Sequence, residues 1–205
     1  MIVHLPAFIG TTLMLAMLPG VGQALMMRQT LTHGASTAMR TVAGTCTGLL
    51  VWSTGAAIGL SAILLAQPAA LTAIRLVGAV ALAILGLGTL RRVGRSGHTT
   101  TAATPASTGR AAYVTGLATN LGNPKAGVFA VSLLPQFVRP GAHAALSTFM
   151  LGIVWAATTG AWYLVFVHGV QRGRRFMSRP GVMRGMEIAT GLVLIGLGAG
   201  VAAGF

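Results

Sequence analysis

Six apolar runs, each close to the length of a membrane-spanning helix, constrain this chain more than any other feature. A helix needs about 20 apolar residues to cross about 30 Å of hydrocarbon. Charged residues make up only 7% of the sequence, against roughly 25% in soluble domains. The pattern predicts an all-α integral membrane protein with six transmembrane helices, at about 5–27, 41–65, 71–90, 111–134, 144–168 and 186–204.

The positions of the basic residues predict which way these spans cross the membrane. The formal net charge is +13, and eleven of the fourteen basic residues lie in alternate connections, at 28–40, 91–110 and 169–185. Cytoplasmic loops are enriched in lysine and arginine, so these connections are expected in the cytoplasm and both termini outside. Charge that follows topology in this way indicates contact with membrane lipid and argues against nucleic-acid binding.

The scarcity of acidic residues narrows the chemistry. Glu187 is the only acid, near the predicted cytoplasmic end of the last span, where we expect it to neutralise Arg184 or the basic loop beside it. Without carboxylate pairs or zinc-ligand spacing, an enzyme is disfavoured, and no catalytic residue is assigned. A divalent-cation exporter is a closer alternative, also disfavoured because hard cations take carboxylate ligands. We expect neither a metal nor another cofactor.

Two of the predicted spans contain polar or helix-breaking residues about halfway along their length. Proline removes a backbone donor and clashes with the preceding turn, and a lysine at mid-bilayer costs ~2.5–3.5 kcal/mol on insertion scales. Irregular backbone at this depth survives where protein or a water-filled cavity satisfies it. We therefore predict one substrate-binding cavity, lined by residues of both interruptions: Pro19, Gly20 and Gln23 from span one, and Asn120, Asn123, Pro124 and Lys125 from span four.

The interruptions lie at corresponding places in two halves of the chain. A cytoplasmic linker at 91–110, rich in Ser, Thr and Ala towards its end, separates repeat one, about 5–90, from repeat two, about 111–204. Each half has three spans, so equivalent spans cross in opposite directions. Paired breaks in an inverted repeat indicate the central binding site of a transporter. Residues 1–205 are thus expected to form a single membrane transporter domain.

At these residues the chain resembles the LysE/RhtB family of amino-acid exporters. The resemblance covers nearly the whole length and implies efflux of amino acids or related small metabolites across the bacterial inner membrane, usually driven by the proton gradient. The chain departs from the family at the first break, where the family commonly reads Pro-Gly-Pro and then an acidic or polar residue and this chain reads Pro19-Gly20-Val21-Gly22. It also lacks the tyrosine that members often have a few residues after the glycine corresponding to Gly78 in span three. The motifs are Leu18-Pro19-Gly20, Gly116-Leu117-Ala118-Thr119-Asn120-Leu121-Gly122-Asn123-Pro124-Lys125-Ala126 and Leu134-Pro135-Gln136-Phe137-Val138.

Lys125 has two interpretations in this setting. It can snorkel or lie against the carbonyls that the breaks release, or it can bind the carboxylate of a substrate, which we favour. A non-transporting membrane interaction protein is a further alternative, since the chain has glycine-rich faces such as the one around Gly191–Gly200. Such faces are also compatible with a homo-oligomer.

Overall fold

The computed structural model describes residues 2, 4–66, 68–92, 108–139, 141, 143–173 and 180–203, and among them the chain is all-helical. One isolated antiparallel bridge, between Ile2 and Val138, is the only strand-like pairing within this part of the chain. A π-helix at Phe129–Leu133 and a 3-10 helix at Leu134–Phe137 follow α5 directly. The α-helices are α1 Leu5–Met17, α2 Val21–Ala66, α3 Pro68–Arg92, α4 Gly109–Leu121, α5 Pro124–Val128, α6 Ala144–Arg172 and α7 Pro180–Ala203.

The predicted loop at 28–40 is wrong, because helix α2 runs through it. The only non-helical backbone inside α2 is at Gly34, with φ 83° and ψ 168°. Glycine reaches this region of φ at no steric cost, whereas a residue with a Cβ is strained there. Helix α2 is therefore two helices that meet at Gly34, and we call them α2a (residues 21–33) and α2b (residues 35–66).

The predicted connection at 91–110 lies largely outside the described residues, and residues 174–179 of the connection at 169–185 lie outside them too. Helix α3 extends to Arg92 and α4 begins at Gly109, so the flanks of the 91–110 linker are helical. Thr108 caps α4 by accepting a hydrogen bond from the Ala111 amide. In the 169–185 connection, α6 continues to Arg172 and α7 begins at Pro180.

Both predicted interruptions are present. Helix α1 ends at Met17 and α2a begins at Val21, so Leu18, Pro19 and Gly20 separate two helical segments. We call these three residues the first break. Helix α4 ends at Leu121 and α5 begins at Pro124, and we call the residues between them, at 122–123, the second break.

The helices pack in pairs whose relative directions follow from individual contacts. Ser53 of α2b contacts Gly152 of α6, whereas Cys46, earlier in α2b, contacts Ala156 and Gly160, later in α6, so these helices are antiparallel. Helices α3 and α7 are likewise antiparallel, with Gly86 against Ile195 and Ala79 against Gly198. By contrast, α4 runs parallel to α2b, because contacts advance in the same direction along both, from Gly44 against Tyr113 to Gly48 against Asn120.

An aromatic cluster packs α1, the π-helix, the 3-10 helix and α6 against one another. Phe129 lies 4.6 Å from Trp155 and 6.2 Å from Phe8, centroid to centroid, and Phe8 lies 5.1 Å from Phe137. Phe8 and Phe129 are completely buried. A second cluster, which includes Met26, Val167 and Val170, lies between α2a and α6.

Two helices among the described residues are long and apolar enough to cross a membrane by length and composition, Val21–Gly59 and Ala144–Arg172. Shorter apolar helical stretches lie at Leu5–Met17, Leu76–Gly88 and Gly191–Gly200. Many large apolar side chains point outward from the bundle; Val77, for example, is 70% exposed and Ile58 is 68% exposed. Such outward-facing apolar surface is suited to lipid.

Candidate functional site

The first break leaves the C-terminal carbonyls of α1 without helical partners, and two side chains bind them. The last four carbonyls of any helix lack an intrahelical donor. The Gln23 carboxamide nitrogen donates to the Ala16 and Met17 oxygens, at 3.1 Å each. The Lys125 ammonium donates to the Leu15 oxygen at 3.0 Å and to the Leu18 oxygen at 3.4 Å. Four consecutive carbonyls are thereby satisfied.

The Lys125 contact joins the two breaks. Lys125 is the second residue of α5, so its own helix presents the positive end of its dipole there, which disfavours a cation. Its side chain instead extends to the C-terminal end of α1, which carries the partial negative charge of that helix. Its nitrogen lies 3.9 Å from the position a Cβ on Gly20 would take. An ammonium has three donors, and two are used here by described residues.

The second break satisfies its backbone groups mainly with residues close in sequence, and one distant side chain, Trp52, adds a further bond. The Asn123 side chain accepts a hydrogen bond from the Lys125 amide at 3.1 Å and so caps the N-terminus of α5. Pro124 is the first residue of that helix, a position where the missing N–H costs nothing. The Asn120 oxygen of the main chain accepts from the Asn123 amide at 3.0 Å and from the Trp52 indole at 3.3 Å.

Asn120 faces helix α2b, not the Lys125 ammonium. Its side chain is 6% exposed and packs against Gly48, where a Cβ would lie 2.6 Å from the Asn120 Oδ1. That oxygen is buried and has no hydrogen-bond partner among the described residues. The Gln23 Oε1 is also buried, on a side chain that is 3% exposed, and it has no hydrogen-bond partner among the described residues. Buried polar atoms without partners are uncommon and call for an explanation, such as a ligand or a water.

The structure therefore brings together only part of the predicted site. Pro19, Gly20, Gln23 and Lys125 meet at the end of α1. The side chains of the remaining predicted residues have other positions: Asn123 caps α5, Pro124 is exposed as its first residue, and Asn120 lies against α2b.

Sequence reasoning missed two side chains beside the breaks, Tyr163 and Trp52. Tyr163 of α6 is 7% exposed, and its hydroxyl lies 2.6 Å from the position a Cβ on Gly22 would take. Trp52 of α2b contacts Gly127 in addition to its bond to the Asn120 carbonyl. Neither position has a local sequence signal, because each depends on how distant helices align.

Comparison with known proteins assigns a family. Residues 13–204 match the family described as LysE type translocator, which is nearly the whole chain. The chain belongs to this family. It is 28% identical over 193 residues to a homoserine/homoserine lactone efflux protein of Salmonella typhimurium, covering 94% of this chain and 93% of that one. It is also 24% identical over 199 residues to the uncharacterized membrane protein YrhP of Bacillus subtilis, covering 94% and 95%.

No solved structure matches the chain. The family and the relatives nevertheless confirm the prediction of a membrane transporter. LysE type translocators are transporters, and the names of the relatives of this chain describe membrane and efflux proteins. The chain is accordingly a multi-pass helical membrane protein of a translocator family. Within it, the two breaks form the candidate functional site.

Proposed function

We propose that this chain exports a small amino acid or a closely related metabolite across the bacterial inner membrane, with homoserine as the first substrate to test. The contact between Lys125 and the end of α1 carries the proposal, because it links the residues of the two helix breaks. The efflux relative, whose name specifies homoserine and its lactone, supports this substrate class.

The packing supports a six-span inverted repeat as the framework. The first helical segment of each repeat has the same length, 13 residues in α1 and 13 in α4, and each is followed by a break. If α1 with α2a forms span one, and α4 with α5 forms span four, every span contacts its counterpart in the other repeat. The α2b–α6 and α3–α7 pairs are antiparallel, as repeats of opposite orientation require.

The charge distribution supports an orientation with both termini outside and the basic connections in the cytoplasm. Single cysteines at Ser96 and Phe205, in a Cys46→Ser background, test it. An impermeant maleimide added to intact cells should label position 205 and leave position 96 unlabelled, and the reverse result would refute the orientation.

The chemistry of the site fits a zwitterion. The Lys125 ammonium has one donor beyond those that bind Leu15 and Leu18, and it can donate a third hydrogen bond to a substrate carboxylate. The buried Gln23 Oε1 can accept from a substrate ammonium or hydroxyl. In this proposal Lys125 and Gln23 contact the substrate directly, whereas Pro19, Gly20, Asn120, Asn123 and Pro124 shape the breaks around it.

Efflux from preloaded cells tests the function. Cells that express the chain should release radiolabelled L-homoserine faster than cells with empty vector, and a protonophore should remove the difference if the proton gradient drives export. Parallel measurements with Mn²⁺ test the cation alternative. Release at the empty-vector rate, with the protein present in the membrane fraction, would reject the proposal.

A further inference from the structure

One face of α6 carries two buried polar side chains, and one of them, Tyr163, lies beside Gly22, two residues after the first break. Thr159 is 5% exposed and its Oγ1 has no hydrogen-bond partner among the described residues. Tyr163 follows four residues later, so the two side chains lie on the same face, one turn apart. The Tyr163 side chain is buried as well, with 7% of its surface exposed.

Tyr163 and Lys125 approach the same short segment of backbone. The Lys125 nitrogen lies 3.9 Å from the Cβ position of Gly20, and the Tyr163 hydroxyl lies 2.6 Å from that of Gly22. The α-carbons of residues two apart are separated by about 7 Å at most. An ammonium and a phenol therefore lie beside the same short segment of backbone, Gly20 to Gly22. Gln23, with its unpaired carboxamide oxygen, is the next residue along the chain.

The absence of a side chain at position 22 makes room for this hydroxyl. Any Cβ there would approach the Tyr163 oxygen more closely than van der Waals contact allows. Burying hydroxyl and carboxamide groups without partners costs free energy, and a ligand that pairs with them recovers it. The neighbouring Thr158, in contrast, bonds to the Val154 carbonyl of its own helix at 2.8 Å.

We infer that Tyr163 and Thr159 are specificity-determining residues of the transport site and that they bind a hydrogen-bonding group on the substrate side chain. The inference rests on the proposed function, with Lys125 binding the carboxylate end. It predicts a preference for substrates whose side chain carries a hydroxyl over isosteres that carry a methyl group in its place. A site built to bond a hydroxyl discriminates against the analogue that lacks it, because its polar groups are then left unpaired.

The test compares export of L-homoserine with that of L-norvaline, which has a methyl group where homoserine has its hydroxyl. Wild type should prefer homoserine, and Tyr163→Phe should lower the homoserine-to-norvaline ratio by about three- to tenfold, the range expected for one hydrogen bond. Thr159→Val should lower it in the same direction. If Tyr163 and Thr159 had only a structural role, the variants would export both amino acids more slowly and the ratio would be unchanged.

The chain offers a matched control for each variant. Tyr113, its other tyrosine, donates to Thr47 Oγ1 at 2.9 Å between α4 and α2b, so Tyr113→Phe removes a hydroxyl from a structural bond. Thr158→Val removes the neighbouring hydroxyl. Neither control should change the ratio.

The outcomes separate the two proposals. Homoserine export by wild type with an unchanged ratio in Tyr163→Phe and Thr159→Val would overturn this inference and leave the exporter proposal standing. If Tyr163→Phe does not accumulate in the membrane, the homoserine-to-norvaline ratios of Thr159→Val and Thr158→Val are compared instead, and equal ratios would overturn this inference. If wild type exports neither amino acid, both proposals fall.

Discussion

The two breaks differ in which residues bind their backbone groups. Each interrupts a helix inside the bundle, where exposed backbone groups must find partners. The second break is satisfied by its neighbours in sequence, since Asn123 caps α5 and the amides at 122 and 123 bond to carbonyls within α4. The carbonyls at the first break accept instead from Gln23, beyond the break, and from Lys125, more than 100 residues away.

Because of this difference, we expect the geometry of the first break to change more readily than that of the second when a ligand binds. A break that is capped mainly by its neighbours in sequence depends less on the packing of distant helices. A break held by a distant ammonium can change when that ammonium finds another partner, such as a carboxylate. In an exporter of the proposed kind, a substrate that binds Lys125 would thus alter the hydrogen bonds at the end of α1.

The largest effect is expected from Lys125→Met. The change removes the only lysine of the sequence, its two bonds to α1 and the proposed carboxylate contact. A hydrogen bond to a charged group is worth about 1.5–3 kcal/mol, so export of homoserine should fall by roughly tenfold to more than a hundredfold. Initial efflux rates, normalised to protein in the membrane fraction, measure it.

Arg139→Met is the control, since Arg139 is an exposed basic residue that precedes α6. It should export at the wild-type rate. Insertion of Lys125→Met should be unimpaired, because the cost of placing an ammonium in the membrane disappears. Wild-type export by Lys125→Met would show that the lysine only holds α1 and that the substrate binds elsewhere.

The positions of both breaks could be predicted because proline, glycine and asparagine leave local signals. Pro19-Gly20 ends a helix, and Asn123-Pro124 is an N-cap followed by a favourable first residue. The prediction of a loop at 28–40 was wrong because basic residues, unlike proline and glycine, do not end a helix. The charges of Arg28 and Arg40 predict an edge of the bilayer, but a helix can continue past such an edge, and within α2 only Gly34 interrupts it.

The partners of the predicted site residues could not be read from the sequence. That Lys125 reaches Leu15, that Asn120 faces Gly48 and that Tyr163 lies over Gly22 all depend on the alignment of helices distant in sequence. Asparagine at a break looks the same whether it caps a helix or lines a cavity. Residue type alone therefore could not predict which of these side chains lie together.

A smaller effect, on stability, should follow from loosening the support of the second break. Gly44 lets α2b approach α4 so closely that a Cβ would clash with the Tyr113 carbonyl and lie 2.9 Å from the Leu117 amide. Gly44→Ala should lower the free energy of unfolding by about 1–3 kcal/mol, because backbone atoms must move. Thermal unfolding in detergent measures it.

Gly55→Ala, in the same helix, is the matched control. A Cβ at position 55 meets nothing within 4 Å, so alanine should be neutral or stabilise the helix by up to about 1 kcal/mol. Equal midpoints for the two variants would contradict the close α2b–α4 contact.

The smallest effect is expected from Asn123→Ala, which sharpens the contrast between the breaks. Loss of an N-cap costs about 0.5–2 kcal/mol, and Asn123→Ser, which can still accept from the Lys125 amide, should recover most of it. Because the cap is local and neutral, export should fall much less than in Lys125→Met. If Asn123→Ala instead abolished export while Asn123→Ser restored stability but not transport, Asn123 would be a direct substrate contact. The second break would then be part of the binding surface, and its cap would be a secondary role.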